Sequence, residues 1–190
     1  MSASPLWHEE QGSEADAADV DPAGPQLHAP APLQVELHSE VRALWTPPAG
    51  PLTRWARAAL GPLGAGREIS VRIVGRRESQ ALNGRFRGRN KPTNVLSFPV
   101  VALPGPEPDL DDGPPPPIPL GDLVLCAAVV RDEARAQGKP LRAHWAHLVV
   151  HGALHLVGYD HEQPRDATRM ESLEVRVLRR LGFPDPYRSS

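Results

Sequence analysis

Leu33, Val35 and Leu37 alternate with polar neighbours, and Ile69, Val71 and Ile73 repeat the pattern further along, so the two-residue period predicts two half-buried strands. Between them Leu52, Trp55, Ala56, Ala59 and Leu60 recur at helical spacing, and Gly61-Pro62 ends that helix. A short helix around Glu78 to Asn83 comes next. Residues 95–101 (VLSFPVV) and 120–126 (LGDLVLC) are β-prone runs on either side of a proline-rich stretch, and the simplest pairing is antiparallel across it. Three helices finish the pattern: about Ala127 to Ala136, closed by Gly138 and Pro140; about Arg142 to Val157; and about Arg165 to Leu181, before Gly182 and Pro184. No segment repeats another. The expectation is an α+β fold, a single domain with a small mixed β-sheet packed by about five helices.

Two stretches show neither period. Residues 1–32 are rich in Ala, Pro, Gly, Glu and Asp and read as a disordered acidic extension, which leaves residues 33–188 as the folded domain. Residues 103–119 (LPGPEPDLDDGPPPPIP) read as an extended surface loop, polyproline II in part. The 23 prolines of the 190 residues are far above average usage, and most must lie outside a core. No apolar run approaches the roughly 20 residues needed to span a bilayer, and the first residues lack the basic-then-apolar layout of a secretory signal, so the chain reads as cytoplasmic with no membrane partner. The one cysteine, Cys126, reads as a small buried apolar residue.

A formal net charge of -2 argues against a polyanion as partner until the charges are located. Residues 1–41 hold eight carboxylates and no Lys or Arg, so the other 149 residues carry 21 basic against 15 acidic groups. Segment 104–119 holds four more carboxylates and no basic group, which leaves +10 for the remainder. The part expected to fold is basic enough to attract a nucleic acid.

The second of the last three helices contains HGALHLVGYDH at 151–161. Positions four apart share a helix face, so His151 and His155 can offer two imidazole nitrogens to one metal ion. Gly158 lets the chain leave the helix in a left-handed turn, and His161 returns as a third ligand. Three protein ligands leave a fourth position for water, the catalytic pattern of zinc, and a water there ionises near pH 7. His144 and His147 lie near the same stripe but one and two turns away, which suits support of the site or a place at the core edge. Gly152 stands where the HExxH peptidases carry their general base, which counts against proteolysis. Asp160, the nearest carboxylate, has two readings, an orienting or proton-moving group and a simple turn cap.

Upstream, Arg85, Arg87, Arg89 and Lys91 fall within seven residues, with Asn90 and Asn94 beside them. Guanidinium forks suit phosphate oxygens and can offset charge growing on a phosphorane-like transition state. A solvated basic turn explains the same composition equally well. Asn94 and Ser97, and Thr93 with them, either touch a substrate backbone or shape the loop.

Four blocks resemble the YbeY family of rRNA-maturation endoribonucleases. RGRNKPTNVLSFP at 87–99 is similar to the family's RGKDxPTNVLSFP, LGDLVLC to its LGDIxIC, HLVVHGALHLVGYDH at 147–161 to its metal signature, and LGFPDPY at 181–187 to its C-terminal tail. Together they cover roughly residues 33–187 in the expected order. Asn90 replaces the usual Asp and Ala127 a frequent Pro, and residues 1–32 and 103–119 exceed the typical member. The resemblance implies one zinc ion on His151, His155 and His161, an essential Arg87, and a single-strand-specific endoribonuclease acting in small-subunit rRNA 3′-end maturation and ribosome quality control. Its partners would be precursor rRNA and the small ribosomal subunit, with no DNA. Arg85, Arg89, Lys91, Asn94 and Ser97 would then bind substrate. Two other readings stand beside this one: a zinc hydrolase of peptides or small molecules, and a ribosome assembly factor whose metal is structural.

Overall fold

The computed structural model describes residues 30–41, 45–101 and 116–188. Its frame is a four-stranded sheet of β1 (Gln34–Ser39), β2 (Arg67–Val74), β3 (Val95–Pro99) and β4 (Ile118–Cys126), in the order β1-β2-β4-β3. β1, β2 and β4 run parallel, and β3 pairs antiparallel with β4 on the edge. The sheet is therefore mixed, and β3 and β4 pair as their flanking runs suggested.

Alternation along the strands feeds two apolar clusters. Ile69, Val71, Ile73, Leu123 and Leu125 face the larger one, shared with α1 (Ala49–Leu60), α4 (Leu141–Leu156) and α5 (Pro164–Arg180). Val74, Leu96, Val124 and Cys126 face the smaller one, under α2 (Arg76–Arg87) and part of α3 (Ala127–Ala136). α4 is apolar nearly all round, with ten of its sixteen residues buried, because sheet, α1, α3 and α5 all pack against it. Side chains on such a helix are positioned by an element held from several sides.

Boundaries differ from the sequence reading where pairing or caps intervene. β4 starts at Ile118 rather than 120, because Ile118 and Pro119 continue the ladder to Arg67 and Glu68 of β2. β3 stops at Pro99, which has no N–H to give, although the Val100 N–H still reaches the Leu120 carbonyl. α2 is twice as long as expected, running from the Gly75 cap to Gly88, whose φ of 67° suits the left-handed stop. The ladder between β2 and β4 skips Leu120, and at this bulge Gly121 has φ 137°. A Cβ there would lie 2.1 Å from the Phe98 carbonyl oxygen, so only glycine lets the edge strand close on β4.

Residues 1–29 of the acidic extension and 103–115 of the proline-rich segment lie outside the described residues. Ala31 already belongs to the fold, since its carbonyl accepts the Gly66 N–H at 2.6 Å. Cys126 is buried, and no helix among the described residues is long and apolar enough to cross a membrane.

Candidate active site

His151 and His155 stand one turn apart on α4 with ring centroids 4.6 Å apart and their Nε2 atoms at 3.2 Å. The helix ends two residues before Gly158, whose φ of 86° reverses the chain, and the Tyr159 N–H closes on the Leu154 carbonyl. That turn brings the His161 ring to 5.4 Å from His151 and 4.9 Å from His155. One nitrogen from each of the three lies within 4.8 Å of the other two. Two zinc–nitrogen bonds of about 2.0–2.1 Å at a tetrahedral angle place the nitrogens roughly 3.3 Å apart, so the 3.2 Å pair is already at ligand separation. His155 titrates below the usual histidine range, through burial first and then the neighbouring His151 and His161. It is neutral at pH 7, the form that binds a metal. The donor set fits a divalent ion of the zinc type.

Behind His151 lies a carboxylate that the periodicity concealed. Glu174 of α5 has no exposed surface. Its Oε1 accepts the His151 Nδ1–H at 2.9 Å, its Oε2 accepts the His147 Nε2–H at 2.9 Å, and the Tyr187 hydroxyl also donates to Oε2. Burial alone would raise its pKa, but these three donors outweigh burial and hold it at about 2. Burial and the same carboxylate push the Tyr187 phenol far up, so it stays a donor. With Nδ1 fixed as the protonated nitrogen, His151 turns a bare Nε2 toward His155, the carboxylate–histidine–metal arrangement that sets ring orientation and basicity. Because the folded pKa lies below the ordinary value, Glu174 stabilises the fold above about pH 4.5, and that contribution is lost as pH falls toward 2. Replacing Glu174 with Gln should weaken zinc binding about 10–100-fold in a chelator competition, because one of its two acceptor positions becomes a donor. An unchanged affinity would show that the contact orients nothing.

His147 thus touches the site through Glu174. His144 is held elsewhere: it is buried, and its Nε2–H donates at 2.9 Å to Glu133, which also accepts the Asn94 amide. Burial raises the Glu133 pKa, but these two bonds outweigh it and keep the group below its ordinary range. Asp160 accepts the His161 backbone N–H at 2.6 Å, which ties its carboxylate to the turn.

An open cleft of about 600 Å³ runs from the histidines to the basic loop, lined by His151, His155, His161, Arg87, Arg89, Asn94 and Ser97 among others. Arg87 is exposed on its rim and donates at 3.3 Å to the Ser97 carbonyl on the outer edge of β3. Arg85 and Lys91 are exposed and do not line the cleft. The Asn94 side chain is committed to Glu133 and to the Val95 N–H, and the Ser97 hydroxyl donates to the Gly152 carbonyl at 3.3 Å. Both hold the wall of the cleft in shape.

The loop is pinned by polar residues that the sequence reading passed over. Ser79 and Asn83, one turn apart on the buried stripe of α2, bind the Thr93 backbone and the Lys91 carbonyl. Gln80 binds Asn90. Gly152 has a packing reason: a Cβ there would meet Leu123 at 2.9 Å and Ser97 Oγ at 3.2 Å, so the position after the first histidine faces the sheet and holds no acid.

The solution structure of TM1509 from Thermotoga maritima is 22% identical, with 82% of this chain and 99% of that one covered and a TM-score of 0.48. Residues 52–182, which include every histidine of the cluster and the whole basic loop, match the family described as Endoribonuclease YbeY. The chain belongs to the YbeY endoribonuclease family.

Proposed function

We propose that this protein is a zinc-dependent, single-strand-specific endoribonuclease that acts in small-subunit rRNA 3′-end maturation and ribosome quality control in the cytoplasm. The observation that carries the reading is the meeting of three convergent imidazoles with Arg87 and Arg89 in one open cleft. His151, His155 and His161 would hold the zinc ion, which would supply a Lewis acid and a water acidic enough to ionise near neutral pH. The chain does the rest. Glu174 fixes the His151 tautomer, Arg87 steadies the scissile phosphate and balances the charge that grows on it, and Arg89 grips a neighbouring phosphate. Arg85 and Lys91, outside the cleft wall, meet phosphates farther along the strand. Asn94 and Ser97 present the cleft edge to the RNA backbone. A cleft of this kind favours single strands, whose backbone can bend toward the metal as an A-form duplex cannot.

A panel assay tests this. The purified chain should nick single-stranded RNA, leave the same sequence largely intact as a duplex, spare peptides, and lose the activity to a chelator. Peptide cleavage with indifference to RNA would instead identify a zinc peptidase.

A further inference from the structure

Phe86 is the last residue on the stripe of α2 that faces the sheet, following Ser79, Leu82 and Asn83 at helical spacing. The sheet runs out beneath it, because β3 is the edge strand. Its ring meets Phe98 of β3 edge-on, with centroids 5.0 Å apart at 68°, and the rest overhangs, leaving Phe86 51% exposed. The Arg85 guanidinium lies 5.2 Å from the ring centroid. The adjacent residue, Arg87, reaches across the strand edge to the Ser97 carbonyl and into the cleft.

A half-bare phenyl ring is unfavourable in water, and a phenylalanine is normally drawn inside. Here it stands among four cations within seven residues, one position from the rim of the cleft. A second exposed apolar patch, Leu63, Val100, Val101 and Ile118, has Arg67 as the one cation lining its groove among the described residues. An aromatic ring with a guanidinium against it, set in a basic surface, is the chemistry on which unpaired nucleobases stack without regard to sequence.

We propose that Phe86, backed by Phe98 and flanked by Arg85, is a base-stacking subsite for an unpaired nucleobase of RNA, close to the nucleotide whose phosphate enters the cleft. This deepens the endoribonuclease reading and rests on it. The subsite gives single-strand preference a second cause, since a base inside a duplex cannot leave its neighbours to lie on the ring.

The test uses the full chain loaded with zinc. Fluorescence anisotropy reads binding of a labelled single-stranded oligoribonucleotide and of inorganic polyphosphate, which has the charge but no bases. Phe86→Ala should weaken oligonucleotide binding about tenfold and Phe86→Leu less, Phe86→Trp should restore it, and none should alter polyphosphate binding. In cleavage assays the loss should appear in KM. Equal oligonucleotide binding by wild type and Phe86→Ala overturns the proposal. So does a parallel loss of polyphosphate binding in both Phe86→Ala and Phe86→Leu. Cleavage with a KM indifferent to Phe86 leaves the endoribonuclease reading intact and removes the subsite; Phe86-dependent binding by a wild type that cuts no RNA does the reverse.

Discussion

His155→Ala should empty the proposed metal site and abolish RNA cleavage while leaving the domain folded. His155 is the middle histidine of the proposed site, its Nε2 atom 3.2 Å from that of His151 and its ring centroid 4.9 Å from that of His161. Without it two imidazoles remain, and zinc affinity should fall by well over the roughly 10–100-fold that losing a supporting hydrogen bond costs. Cleavage should drop by roughly 10³-fold or more at zinc concentrations that saturate the wild type. The fold should survive, because His155 is half-buried at the open side of α4, alanine is the best helix former, and the apolar core around Trp145, Val149 and Ala153 is untouched. Metal analysis with circular dichroism reads both halves. A variant that unfolds on losing the ligand would mean that the metal holds the domain together, as an assembly factor with a structural ion would require.

Arg87→Ala should separate binding of the metal from use of it. The side chain is exposed and its one hydrogen bond among the described residues goes to the Ser97 carbonyl, so stability should move by less than about 0.5 kcal/mol. Zinc content should match the wild type. Turnover of single-stranded RNA should fall about 10²–10³-fold, the range for removing one preorganised donor to developing charge. Arg87→Lys should recover only part of it, since a point charge replaces a planar fork. Undiminished cleavage by zinc-loaded Arg87→Ala would remove Arg87 from the chemistry.

Much of this was legible in the sequence because it rests on local periods. The i, i+4 spacing of His151 and His155 and the glycine turn to His161 are events within eleven residues, and a helix has little freedom in where it puts them. The alternating runs predicted β1 and β2, and the two β-prone runs on either side of the proline-rich stretch predicted the antiparallel edge pair. What stayed hidden depends on contacts across the fold. Glu174 sits between Met170 and Val177 and Leu178 on the apolar stripe of α5, and a carboxylate in that position has to find partners inside. The stripe was the available signal, but the identity of the partners, His147, His151 and Tyr187, depends on how α5 crosses α4. Ser79 and Asn83 carried a similar signal on α2. Gly121 and Gly152 gave none of this kind, since each is small for the sake of a neighbour distant in sequence.

Zinc titration of chelator-stripped protein, followed by cleavage of a single-stranded RNA, bears most directly on the joining of metal and basic loop in one catalytic centre. Activity should be absent at first, rise linearly with added zinc, and break at one equivalent per chain. Full activity in the stripped protein, or one bound equivalent that never yields a cut strand, would contradict the account.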